Sequence, residues 1–313
     1  MPLALEIALT CWFCVIGVQA ARKRDARLLQ LLLVSVACVA GVGCVGIALS
    51  VAARHTAKFD LWLYTADTAL GSPSFAAARL IRPTHWYPVL VAVYEAMPMV
   101  MLATYAVHLL AGGTPQRVLA AFALNFAAGY GVYLMFPACG PEYAFRAFPV
   151  LPSAAPGLHT LNLLAPPNCM PSLHTSTALL ACWFCRPWRF ASGCALFNLA
   201  LTVLATLSTG EHYIVDLVVA APFAAFVYAA ARREYRPAAA WLAAVLAWCG
   251  ALRFGLPLLT SAPTLFAIVC ILTVAAAWVY STRLGRAGSR MTLGLAGRPA
   301  AVISSPVGAV NQT

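Results

Sequence analysis

The sequence predicts an all-α, polytopic membrane protein, a bundle of about nine helical spans. Three observations carry that prediction. The 313 residues are 62% hydrophobic and only 9% charged, and their mean hydropathy is +0.83; a water-soluble domain of this length needs far more charge to cover its surface. Apolar runs of about 20 residues recur from end to end, each long enough to cross a hydrocarbon core of roughly 30 Å. The runs are continuous and rich in Ala and Leu, without the alternation of a membrane-spanning strand.

Taken in order, the spans fall at 2–20, 28–52, 87–111, 118–138, 171–186, 189–208, 213–232, 237–255 and 261–281. The first apolar stretch has no basic residue ahead of it and contains Glu6, while Arg22, Lys23, Arg24 and Arg27 follow it. It therefore reads as a span with its N-terminus outside, not as a cleaved signal peptide. Segment 53–86 is too mixed to span and too apolar to float, so it is expected at the interface, with Trp86 and Tyr87 at headgroup level. Residues 1–285 read as one transmembrane domain, and 286–313 as a flexible cytoplasmic tail.

Charge sets the orientation. If 21–27 is cytoplasmic, that side collects fourteen of the twenty Lys and Arg residues and the other side six. The net charge of +11 thus belongs to loops that fix topology, with no nucleic-acid partner implied. Loop 139–170 and the connection near 208–212 then face outward. The Ala-rich, Lys-poor composition suggests a bacterial inner membrane with that face in the periplasm.

Two outward-facing places hold unusual residues: Pro171-Ser172-Leu173-His174-Thr175-Ser176 and Gly210-Glu211-His212-Tyr213-Ile214-Val215-Asp216. Each is expected to open a helix, where unpaired amides and the positive dipole end favour an anion. Two such starts converging would cradle a phosphate. His212 and Asp216 are four apart, so the carboxylate is expected to accept one imidazole proton and leave the other nitrogen nucleophilic. Asp216 also lies just inside the membrane, where an ionisable group is costly and a functional candidate. His174 supplies a general acid. Taken singly, each histidine reads as a helix cap and Asp216 as a partner for an arginine. The three together, on one side, favour catalysis.

PSLH followed 38 residues later by HYIVD resembles the second and third motifs of the type 2 phosphatidic acid phosphatase superfamily. The spelling PSLH with GEHYIVD, and the stretch YLMFPACGP at 133–141, look more like its inositol-phosphorylceramide-synthase branch. The resemblance covers about 118–232 and implies a six-helix core over about 28–232. It implies a lipid phosphate ester cleaved through a phosphohistidine on His212, oriented by Asp216, with His174 protonating the leaving alcohol. Water or a lipid alcohol then takes the phosphoryl group. Neither metal nor cofactor is expected, and the sequence offers no carboxylate cluster or His/Cys spacing suited to a metal.

The sequence departs from that pattern in its cations. The lysine-and-arginine motif of the phosphatases is missing from the outer loop, and Thr206 stands where an arginine is expected. Arg146 is the first candidate replacement, because a guanidinium grips phosphate oxygens in two places; Arg79 and Arg82 are weaker. The other substrate-binding candidates are Ser172, Gly210, Glu211, Tyr133 and Glu95. For Glu211 the alternative is simple decoration of a first turn, for Tyr133 packing, and for Glu95 a hydrogen bond between helices. Cys139 and Cys169 bracket the outer loop, and a disulfide between them is expected in an oxidising compartment. Hydrolysis is preferred to headgroup transfer onto ceramide or diacylglycerol. A lipid transporter or flippase is the alternative of another class, and a scaffold with a dead site a third. Against a transporter stand the absence of repeats and the clustering of polar residues at one face.

Overall fold

The structure, a computed structural model, describes residues 3–23, 25–54, 56–152 and 157–296. Two helices open the chain, α1 (Leu3–Lys23) and α2 (Ala26–Ala52). After strand β1 (Ala57–Lys58) come α3 (Asp60–Ala69) and α4 (Pro73–Ile81), then α5 (Tyr87–Glu95), α6 (Met97–Leu110) and α7 (Pro115–Met135). The next loop contains α8 (Pro141–Ala144) and β2 (Leu161–Asn162), which pairs antiparallel with β1. Helices α9 (Leu173–Cys185), α10 (Arg189–Thr209), α11 (Ile214–Ala231), α12 (Tyr235–Phe254), α13 (Leu256–Ser261) and α14 (Pro263–Ala296) complete it.

The helical membrane fold is as predicted. Among the described residues, six helices are long and apolar enough to cross a membrane: α2, α7, α10, α11, α12 and α14. The α5–α6 pair, bent by 56° at Ala96, makes a seventh if taken as one span. The nine predicted spans all fall on helices, but α9 has only 13 residues. Large apolar side chains such as Leu33, Ile47, Phe197 and Ile271 point away from the bundle, as a hydrocarbon surround allows and water does not. Helix α14 continues past 285 to Ala296, and the rest of the expected tail lies outside the described residues.

Helix α11 is the axis. It is apolar on all sides, mostly buried, and packs on α12, α14, α9 and α7, as a helix without a polar face must. Segment 53–86 is more than an interfacial stretch. Its α3 packs on α11 and α12, its α4 packs on α10, and Asp60, Asp67 and Lys58 are fully buried. A short helix with two acids seven residues apart looks like headgroup-level sequence; its acids are instead consumed by the polar end of the bundle.

Candidate active site

The two motifs meet at one end of α9 and α11. Ser172 caps α9: its backbone is extended, and its hydroxyl accepts from the Thr175 amide at 3.3 Å. The Ser172 amide donates to the Asp216 carbonyl at 3.3 Å, tying the start of α9 to the first turn of α11. Gly210 ends α10 in the left-handed conformation (φ 77°). A side chain there would collide with the Phe148 ring, whose Cε1 lies 2.5 Å from where its Cβ would be. The chain thus turns sharply and delivers His212 just ahead of α11, buried at 1% exposure.

His174, in the first turn of α9, faces His212 with ring centroids 6.3 Å apart and planes at 63°. His174 also stacks on Tyr94 of α5, at 3.7 Å and 20°. Tyr133 is buried against the backbone of Leu173 at the same helix start. His174, His212, Asp216, Ser172, Gly210 and Tyr133 are therefore brought together.

The expected hydrogen bond from His212 to Asp216 is corrected. The Nδ1–H of His212 donates to the Cys169 carbonyl at 2.8 Å, while Asp216 Oδ2 stands 3.7 Å away, a charge contact beyond hydrogen-bond length. The carboxylate is occupied elsewhere: Oδ2 accepts from the Tyr213 amide at 2.7 Å and from the Cys169 thiol at 2.7 Å. His212 lies outside the helix, so four residues of spacing do not give one-turn helical geometry. The chemical consequence survives, because a proton held on Nδ1 leaves the Nε2 lone pair free.

The start of α11 is not the open anion site expected of it. The Tyr213 amide is held by Asp216, and the Ile214 amide donates to Asp67 Oδ1 at 3.0 Å. Asp67 also accepts from Ser74 at 2.7 Å. Asp60, on the same helix, accepts from the Cys139 and Gly140 amides at 3.1 and 2.9 Å and from the Tyr213 hydroxyl at 3.2 Å. Burial raises both carboxyls to about 6, against the amide hydrogen bonds that hold them down. Neither acid was singled out from sequence; their spacing of seven within an otherwise apolar stretch was the available signal.

The predicted Cys139–Cys169 disulfide is likewise corrected. Both are free and buried, each donating its thiol to a carboxylate: Cys139 to Asp60 at 3.4 Å and Cys169 to Asp216 at 2.7 Å. Burial pushes both thiols up, favouring the protonated donors. The polar atoms of Cys169, His212 and Asp216 lie within 4.8 Å of one another, near enough to consider a cation. They are bonded to one another, thiol on carboxylate and imidazole on the Cys169 carbonyl, so the trio reads as a hydrogen-bonded unit in which Asp216 Oδ1 is left without a hydrogen-bond partner among the described residues.

Of the remaining candidates, Glu211 is half-buried beside His212, accepts from the Tyr143 hydroxyl at 3.1 Å, and has its carboxyl raised by burial. Glu95 is half-buried at the α5–α6 break. Arg146 is exposed on a turn whose neighbours Phe145 and Phe148 pack on Phe75, and the ion pairs of the described residues do not include it. Arg82 is committed. It donates to the Ser208 and Thr209 carbonyls at 3.0 and 2.6 Å, pairs with Glu142 at 2.5 Å, and lies over the Phe148 ring. An apolar cavity of about 260 Å³ between α2, α6 and α7 is lined by none of these residues.

No curated protein and no solved structure was found to match the chain. The profile described as the PAP2 superfamily matches residues 61–230, just over half of the chain; that span contains both motif histidines, Asp216 and Asp67, and begins one residue after Asp60. A membrane lipid phosphatase-type function accords with that match and with the apolar helices. The inositol-phosphorylceramide-synthase branch is not resolved by it. With the match covering more than half of the chain and both histidine motifs, the chain belongs to the PAP2 superfamily.

Proposed function

We propose that the protein cleaves a lipid phosphate ester by way of a phosphohistidine on His212. The observation that carries this reading is the His212 ring itself: buried, its Nδ1–H on a backbone carbonyl, and a second histidine 6.3 Å away across the gap. Nε2 attacks phosphorus as the bond to the lipid oxygen breaks, and His174 gives that oxygen its proton. Asp216, 3.7 Å from Nδ1, offsets the positive charge that develops on the imidazole. Water or a second lipid alcohol then attacks the phosphohistidine, returning the ring to its starting state. Arg146, exposed and in none of the ion pairs of the described residues, is the candidate cation for the phosphate, and Ser172, Gly210, Glu211, Tyr133 and Glu95 are the substrate-lining candidates. The positive-inside count supports a site on the outer face, and the Ala-rich, Lys-poor composition supports reading that face as the periplasmic side of a bacterial inner membrane.

Headgroup transfer is the second reading. Asp216, Asp67, Asp60 and Glu211 all lie around the start of α11, and Arg82, which reaches the Ser208 and Thr209 carbonyls ahead of it, is already paired with Glu142. Such surroundings oppose a doubly charged phosphomonoester and suit a singly charged phosphodiester. A panel of headgroup-labelled lipids, with and without ceramide, diacylglycerol or polyprenol, separates the two. Free phosphate from monoesters or pyrophosphates means hydrolysis, and label carried intact onto an acceptor means transfer. Unchanged label with every donor would remove the enzymatic reading and leave the transporter.

A further inference from the structure

Cys169 commits all three of its polar groups to the site. Its amide donates to the Ala138 carbonyl at 3.0 Å, its carbonyl accepts from His212 at 2.8 Å, and its thiol donates to Asp216 at 2.7 Å. The first two bonds use the backbone and any residue could supply them. The third needs this side chain.

Asp216 is fully buried. Its Oδ2 has two donors, the Tyr213 amide and the Cys169 thiol, and its Oδ1 has no hydrogen-bond partner among the described residues. Of the two donors only the thiol comes from outside the first turn of α11, so it fixes which way the carboxylate faces. With the thiol in place, Oδ2 stays off Nδ1, and the imidazole proton remains on the Cys169 carbonyl. A buried carboxylate deprived of that donor loses roughly half of its hydrogen bonding and turns toward the imidazole or takes up a proton. Either change spoils the countercharge that the phosphorylated ring requires.

We propose that Cys169 is a positioning residue for the reaction, acting through Asp216: its thiol proton holds the carboxylate at charge-contact distance from His212, and its carbonyl sets the tautomer. The proposal rests on the reading of His212 as nucleophile. The polar groups of Cys169 are all taken by protein atoms, so its influence is expected to fall on kcat and leave KM nearly unchanged.

The test is a double-mutant cycle in the purified full-length protein, using the labelled donor that gives the highest turnover, with His212→Ala alongside. Cys169→Ala is expected to lower kcat roughly tenfold or more, as loss of a donor to a charged group does, with KM within about twofold. Cys169→Ser, which keeps an O–H donor, is expected within about threefold of wild type. In an Asp216→Asn background the Cys169→Ala effect is expected to vanish. Wild-type kcat in Cys169→Ala, or the same loss in both backgrounds, overturns the proposal. If Cys169→Ala does not fold, Cys169→Ser decides: retained kcat supports the role, and a tenfold loss with unchanged melting overturns it. His212→Ala that still turns over defeats the nucleophile reading and this proposal with it. A dead His212→Ala beside an active Cys169→Ala defeats the cysteine alone.

Discussion

Tyr94 lies flat against His174, ring centroids 3.7 Å apart and planes within 20°. The contact comes from α5, ahead of a 56° bend, and reaches the first turn of α9. It holds the imidazole face-on, while His212 meets the same ring at 63°. A general acid must point at the leaving oxygen, and a ring free to swing does so only part of the time. Tyr94→Phe preserves the stack and is expected to keep kcat within about twofold, whereas Tyr94→Ala is expected to lower it roughly tenfold. Steady-state kinetics on the two variants checks this; equal losses would mean that the hydroxyl, not the ring face, carries the effect.

The two arginines are expected to behave differently. Arg82 is bonded to two carbonyls at the end of α10 and to Glu142, so Arg82→Ala is expected to lower the melting temperature by several degrees, as loss of partly buried charged hydrogen bonds does. Arg146 is exposed, so Arg146→Ala is expected to leave melting unchanged and raise KM roughly tenfold. Thermal melts in detergent and a KM for each variant separate a structural staple from a phosphate grip. An unchanged KM in Arg146→Ala removes that residue from the site.

Asp60 and Asp67 make stability depend on pH. Burial raises both carboxyls from 3.8 to about 6. Between those values the folded chain holds protons that the unfolded chain has released, so stability is greatest at the acid end and falls as pH rises through 6. Each acid contributes on the order of 1–3 kcal/mol at most. Melting is expected at a higher temperature at pH 5 than at pH 7.5, with part of the slope removed in Asp67→Asn. A melting temperature that climbs over the same interval contradicts this assignment.

The membrane helices and the histidine motifs were legible because each has one dominant physical cause. A span must be apolar for some 20 residues, and PSLH and HYIVD put chemistry-bearing residues at helix starts. What was illegible depends on partners distant in sequence. The role of Asp67 requires the Ile214 amide of α11, and that of Asp60 the Cys139 and Gly140 amides and the Tyr213 hydroxyl, all far along the chain. The partner of the His212 proton is a backbone carbonyl, which leaves no trace in residue type. Cys139 and Cys169 looked like a loop-closing pair because the loop they bracket is visible in sequence and the carboxylates beside them are not. Both are therefore expected to react with an alkylating reagent once the protein is denatured without reductant, and a mass shift of a single linked peptide would restore the disulfide.

The central claim is that His212 carries the phosphoryl group, and rapid quenching tests it most directly. The protein is mixed with the best phosphate-labelled lipid, stopped in alkali within the first turnover, and digested. The account predicts acid-labile, alkali-stable label on the peptide containing His212, absent from His212→Ala. Full turnover with no label on that peptide at any time, or the same label in His212→Ala, would contradict it.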